Sequence, residues 1–321
     1  MRLTTLGRTS IEVSEFIFGA GTVGGIGGNP ALRGKGISPA QGLLRLDEAW
    51  ARGVKVIDTA DVYGGGESEL AVGQWLKTRE PQGVLVQTKT GAASYERHPF
   101  FDLSRTHISR QLRQSIARLG RVDLYLSHGP DPDTPLDETL EAFAEAQESG
   151  MIRAFGMSNV DAALLDRVLE VAARRGLPRP EWIQNSLNLL QRDDESELIP
   201  LAAAEGIGYT PYSPLAGGIL SERYLDGAAA EPGSRIAEAG SYFYADVYTE
   251  ENLTKVSRLR ALARDLEVSV AGLALAWLRA HPSVTATLVA PGKPEHWSAV
   301  DEALRTDLNE EQFARTAGIF A

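Results

Sequence analysis

The chain has 321 residues, 43% of them apolar, a formal net charge of −11 and no cysteine. That is ample material for a large core, in one α/β barrel or two ordinary domains. The acidic balance, with no cluster of cations, excludes a phosphate-binding surface for nucleic acid or anionic membrane, and the missing cysteines exclude disulfides, thiolate metal sites and a cysteine nucleophile.

In chain order, the N-terminal MRLTTLGRTSIEVS reads as a two-stranded hairpin around Gly7 and carries no apolar signal core. Eight apolar, β-rich runs follow: EFIFGA from 15, VKVIDTA from 54, GVLVQTK from 83, VDLYLSHG from 122, IRAFGMSN from 152, EWIQNSLNLL from 181, GIGYTPYSPL from 206 and VTATLVAPG from 284. Most are continuously hydrophobic, as strands of a parallel sheet covered on both faces must be. Helix-period segments lie between them. LDETLEAFAEAQESG ends at Gly150, a natural C′ residue, and DAALLDRVLEVAARR opens at Asp161, a natural N-cap. Eight βα units in a chain of this length predict a (β/α)8 TIM barrel over 1–321 as a single domain. The Gly-, Ala- and Ser-rich segment 216–249 after strand seven is expected to be a long lid or binding loop. No run is long enough to span a bilayer, and a soluble, cytoplasmic protein is expected.

Chemistry in such barrels sits at the C-terminal ends of the strands. Polar residues stand where the apolar runs end: Asp58, Lys89, His128 and Asn159, with Gln184 inside the sixth run. Each alone has a structural explanation, but together they mark one rim.

The ordered set LGRTSIEVS, DTADVYGGGESE, the TK of QTKTG, DLYLSHG, GMSN, QNSLN and YSPLAGGIL resembles the aldo-keto reductases from end to end. The resemblance implies an NAD(P)H-dependent barrel that reduces a small-molecule carbonyl, with a catalytic tetrad of Asp58, Tyr63, Lys89 and His128. The chemistry agrees with it: hydride addition creates an alkoxide that needs a proton, and a phenol of ordinary pKa near ~10 is a poor donor unless a cation such as Lys89, paired with Asp58, tunes it. His128 either orients the substrate oxygen or assists the proton transfer. It places Ser158, Asn159 and Gln184 on the nicotinamide carboxamide and Tyr212 on the ring face. Ser213, Leu215, Gly217 and Leu220 then line the pyrophosphate path under segment 216–249, and Gly292 forms the turn after strand eight. The text VAPGKPEHWSAVDEAL departs from the family there. Ser298, Ala299 and Val300 stand where polar adenine-binding residues are expected, and His296 and Trp297 are candidates to pack on adenine instead. Lys293 is the cation placed to meet a 2′-phosphate, with Arg235 as a second, so NADPH is expected with a modest preference and NADH remains possible. Candidate substrate-pocket residues are Tyr95, Phe100, Tyr242, Phe243 and Tyr244, with Gly21 leaving the pocket open. Two other readings are a cofactor-sensing regulatory barrel with little turnover, as some potassium-channel β-subunits are, and an unrelated barrel enzyme using Lys89 as a Schiff base or His128 and Asp58 on a metal.

Overall fold

The computed structural model describes residues 1–94 and 100–321. Strands β1 (Leu3–Thr5) and β2 (Glu12–Ser14) pair antiparallel, Leu3 opposite Ser14. Gly7 turns this hairpin at φ +55°, and a Cβ there would fall 2.1 Å from the Glu181 carbonyl oxygen, so only glycine fits.

Eight parallel strands follow: β3 (Phe16–Gly19), β4 (Val56–Asp58), β5 (Leu85–Thr90), β8 (Leu124–Ser127), β9 (Ala154–Ser158), β10 (Trp182–Gln184), β11 (Gly208–Tyr209) and β12 (Thr287–Val289). They form one sheet in the order β11-β10-β9-β8-β5-β4-β3-β12. Main-chain bonds from Thr285 N to Tyr209 O (2.8 Å) and from Leu288 N to Pro211 O (2.9 Å) join the two ends and close the barrel. Seven of the eight apolar runs contain one of these strands whole, and GVLVQTK covers all of β5 but its last residue, Thr90. The short antiparallel pair β6 (Ala92–Ser94) and β7 (Phe100–Phe101) is an addition at the end of β5.

Around the sheet lie α1 (Pro39–Ala51), α2 (Glu67–Arg79), α3 (Arg105–Leu119), α4 (Leu136–Glu148), α5 (Ala162–Arg175), α6 (Leu198–Ala204), α7 (Arg235–Phe243), α8 (Glu250–Asp265), α9 (Val270–Ala280), α10 (Trp297–Arg305) and α11 (Glu310–Gly318). Local chemistry sets their ends. Asp161 accepts the Leu164 N–H at 2.7 Å to start α5, and Gly150 follows α4 at φ +71°. Leu165, Val168 and Ala172, at helical spacing, are the buried stripe of α5. Among the described residues, no helix is long and apolar enough to cross a membrane.

The period of two along a strand places the functional rim. Ile17, Val56, Leu124, Leu126, Ala154, Trp182 and Leu288 form one buried cluster, plugged by Leu6, Ile11 and Val13 of the hairpin. Two residues beyond Val56, Leu126 and Trp182 stand Asp58, His128 and Gln184, and Ser158 stands four beyond Ala154. The apolar interior therefore gives way to polar groups at one end of the barrel.

Segment 216–249 is not a plain loop. It contains α7, whose N-cap Ser234 accepts the Ala237 N–H at 3.2 Å. Ala239 packs with Ile26 and Leu32 of the β3–α1 connection, and Lys35 pairs with Glu238 at 3.1 Å. A glycine- and alanine-rich helix held by tertiary contacts has too weak a local signal to be read from sequence.

Candidate active site

Lys89 and Asp58 are both buried, and Lys89 Nζ lies 2.7 Å from each Asp58 carboxylate oxygen. The ammonium also donates to Thr59 O at 2.9 Å and to Tyr63 OH at 3.3 Å. Asp58 Oδ1 accepts further bonds from Gln87 Nε2 (2.6 Å) and Gln184 Nε2 (3.3 Å). A buried ion pair satisfied on all sides can stay ionised, which an isolated charge here could not. Tyr63 stands edge-on to His128, ring centroids 5.5 Å apart at 78°. Its other flank faces Gly21, where a Cβ would approach Tyr63 Cε2 to 3.3 Å. Gly21 therefore leaves room for the tyrosine ring itself.

Burial pushes the Tyr63 phenol upward; the Asp58 charge adds to this, Arg235 opposes it, and Asp61 adds a little more. The net direction is upward because burial and the Asp58 charge outweigh whatever lowering the cations contribute. The Lys89 charge is matched by Asp58, whose own field acts on the phenol in the opposite sense. His128 is pushed down to about 3, first by burial and then by Lys89. Its imidazole is neutral, with Nδ1 buried and without a hydrogen-bond partner, while the main-chain N–H of His128 donates to Thr90 O at 2.7 Å.

On the neighbouring strands, Ser158 Oγ donates to Gln184 O at 2.6 Å. Asn159, held at φ +58°, donates from Nδ2 to His128 O (2.7 Å) and accepts the Tyr212 hydroxyl on Oδ1 (2.6 Å). Tyr212, His128, Asn159 and Gln184 thus form one bonded rim beside the ion pair. Ser213 (φ +52°) accepts Asn188 Nδ2 on its carbonyl at 3.1 Å. Leu215 leads into a tight turn through Gly217 (φ +69°), where a Cβ would lie 2.7 Å from the buried Tyr244 ring.

Several expected residues sit elsewhere. The Leu220 side chain is fully buried in the core and its N–H bonds Leu215 O at 3.2 Å, so it does not line an open path. Trp297 is not available to adenine: it is buried, stacks on Phe18 at 6.3 Å and donates Nε1 to Glu48 Oε2 at 2.9 Å. Ala299 and Val300 are buried as well, while Ser298 is exposed. Gly292 and exposed Lys293 do open the turn before α10, with His296 beside Arg223 (3.4 Å). Arg235 lies over the Phe243 ring at 5.6 Å and acts on Tyr63, so it belongs to the mouth of the barrel rather than to the far turn. Tyr244 is core, Tyr242 and Phe243 are exposed on α7, Phe100 begins β7, and Tyr95 lies outside the described residues.

Sequence reasoning missed Gln87 and Asp61. Gln87 shares the inward face of β5 with Lys89, a signal available from strand periodicity alone. Asp61 stood in the quoted motif, but its surroundings come partly from α3 and β8, far along the chain.

The sequence profile of the aldo/keto reductase family matches residues 16–320. Among similar curated proteins, the putative voltage-gated potassium channel subunit beta of Schizosaccharomyces pombe is 31% identical over 299 residues, covering 90% of this chain and 84% of that protein. The NADH-specific methylglyoxal reductase of Escherichia coli is 31% identical over 333 residues, covering 97% and 95%. The versiconal hemiacetal acetate reductase of Aspergillus parasiticus is 28% identical over 304 residues, covering 88% and 87%.

Proposed function

The chain belongs to the aldo/keto reductase family and is an NAD(P)H-dependent oxidoreductase; from that premise we propose that it reduces the carbonyl of a small aldehyde or ketone with NADPH, Tyr63 giving the proton. The observation that carries this reading is the contact of the Tyr63 hydroxyl with Lys89 Nζ at 3.3 Å, beside a neutral His128 at the polar end of the barrel.

When bound, the cofactor supplies the hydride. The residues present fit a nicotinamide amide, whose edge needs both a donor and an acceptor. Gln184 spends its Nε2 on Asp58 and keeps Oε1 as acceptor, Asn159 keeps one Nδ2 hydrogen, and Ser158 Oγ can still accept. Tyr212, fixed by Asn159, offers a flat apolar face to the ring. Ser213, Leu215 and Gly217 turn the chain along the phosphate side, and Lys293 with Gly292 forms the far end. Lys293 favours NADPH over NADH, since a 2′-phosphate brings about two negative charges.

His128, neutral because it is buried beside a cation, donates a hydrogen bond to the substrate oxygen rather than a proton. The Tyr63 phenol, held protonated, delivers its proton to the alkoxide as charge develops there, and Lys89 stabilises the resulting phenolate across the 3.3 Å contact. Held protonated at neutral pH, the phenol is in the form needed to reduce a carbonyl, and the same group runs the reverse alcohol oxidation once ionised.

A second reading, a barrel that senses cofactor with little turnover, is favoured by the similarity to proteins named as potassium channel β subunits. Steady consumption of NADPH with a reactive aldehyde such as 4-nitrobenzaldehyde supports the reductase. Tight cofactor binding with no turnover of any carbonyl in a broad screen supports the sensor.

A further inference from the structure

A polar layer lies on the outer face of the barrel wall, behind Lys89. While Gln87 and Lys89 point inward from β5, Thr88 and Thr90 alternate to the other side and are fully buried. Thr88 donates to Glu69 Oε1 at 2.6 Å, and Arg118 Nε bonds Glu69 Oε2 at 2.6 Å, so the α2 carboxylate and the α3 guanidinium are spent on each other. Asp61 enters this layer from the connection after β4. Its N–H donates to Lys89 O at 3.2 Å, yet both its carboxylate oxygens are buried without a hydrogen-bond partner, as are Thr90 Oγ1, Ser127 Oγ and Tyr125 OH. Thr90 lies near enough to influence both Asp61 and Tyr125 without reaching hydrogen-bond geometry.

Two carboxyl groups here share one guanidinium. Glu69 holds it at 2.6 Å, so Asp61 feels Arg118 without bonding it, and a second buried anion would be only partly compensated. A neutral Asp61 is instead a donor among three unpartnered hydroxyl oxygens. The same short stretch fixes the catalytic geometry. Thr59 O accepts from Lys89 Nζ at 2.9 Å, the Asp61 N–H donates to Lys89 O, and the Tyr63 N–H donates to Ala60 O at 3.1 Å.

We propose that Asp61 is a positioning residue for Tyr63 that works as the neutral acid: protonated, it anchors segment 59–63 against β5, and ionised, it loosens that anchor and slows reduction on the alkaline side. The effect on rate rests on Tyr63 being the proton donor, as argued above. The charged and titratable groups facing Asp61 are Glu69 from α2, Arg118 from α3 and Tyr125 from β8, with Tyr63 across the wall. Burial first and the Glu69 charge second push Asp61 up to about 8, and Arg118 pulls the other way. An acid raised in this manner from an unfolded value near ~3.9 stabilises the fold fully below about pH 4 and loses that contribution as pH climbs through 8. Melting temperature should therefore fall between about pH 4 and 8 and level off above, where the rate begins to fall.

The test measures reduction rate and melting temperature from pH 6 to 9.5 for the wild type and Asp61→Asn, together with the infrared band of a protonated carboxylic acid. Expected in the wild type are an approximately tenfold fall in rate per pH unit above about 8 and a carboxylic acid band present at pH 7 and gone by pH 9.5. Asp61→Asn should lack both the band and the limb. In Glu69→Gln the band should disappear at lower pH, because Arg118 is released toward Asp61; this variant and the wild-type band decide the matter if Asp61→Asn does not fold. An unchanged alkaline limb in Asp61→Asn, or no band in the wild type at pH 7, overturns the proposal. Absence of turnover with every carbonyl defeats the reductase reading, whereas the band and melting measurements still judge the state of Asp61.

Discussion

Replacing Lys89 by methionine removes the ammonium that lies 2.7 Å from both Asp58 oxygens and leaves the rest of the rim in place. Asp58, 2% exposed, keeps Gln87 at 2.6 Å and Gln184 at 3.3 Å but becomes a buried anion without a counter-charge. Breaking one side of such a pair costs about 3–5 kcal/mol. With an unfolding entropy of about 2.1 cal/mol/K per residue over this chain, each kcal/mol corresponds to roughly 1.5 °C. The melting temperature of Lys89→Met should thus fall by about 5–7 °C. The double variant Asp58→Asn/Lys89→Met should recover most of that loss, because neither charge is left stranded, while both variants lose turnover. Calorimetry and NADPH-coupled rates on the four proteins of this cycle provide the check. A double variant no more stable than Lys89→Met, or a single variant that melts like the wild type, would refute the buried-pair reasoning.

Two further outcomes can be stated. Lys293→Ala should weaken NADPH by about tenfold and leave NADH unchanged, since one partly exposed contact to the 2′-phosphate is lost; fluorescence quenching titrations with both cofactors measure it, and equal losses would remove the role of Lys293. Gly217→Ala forces a side chain into φ +69° and to within 2.7 Å of the Tyr244 ring, so thermal unfolding should reveal a loss of about 1–3 kcal/mol, and an unchanged melting temperature would contradict the packing described.

The barrel was legible because strands covered on both faces are continuously apolar: EFIFGA contains β3 and VDLYLSHG contains β8, each with its polar or glycine end at the functional rim. Asp58, Lys89 and His128 were legible at strand ends, where periodicity fixes direction, and Tyr63, in a short turn five residues beyond β4, through the family resemblance; the four stand together in the structure. Other features depended on distant partners. Trp297 looked like a helix-start residue free to stack on a ligand, and only Phe18 and Glu48, from β3 and α1, make it core. Leu220 follows a glycine-rich turn that suggests a binding loop, but its side chain packs inward. Helix α7 was hidden in a low-complexity stretch and is held by Ile26, Leu32 and Lys35. The upward shift of Tyr63 was missed for a related reason: net fields depend on Asp58, Asp61 and Arg235 at once, not on the nearest cation alone.

The central claim is that the Tyr63 phenol provides the proton that completes carbonyl reduction. Its most direct test compares wild type and Tyr63→Phe in two readouts, kcat for an aldehyde with NADPH and the NADPH dissociation constant from fluorescence quenching. Loss of a group used only in the transition state should lower kcat by about a hundred- to ten-thousand-fold and leave cofactor affinity within about twofold. Turnover by Tyr63→Phe at close to the wild-type rate would contradict the claim.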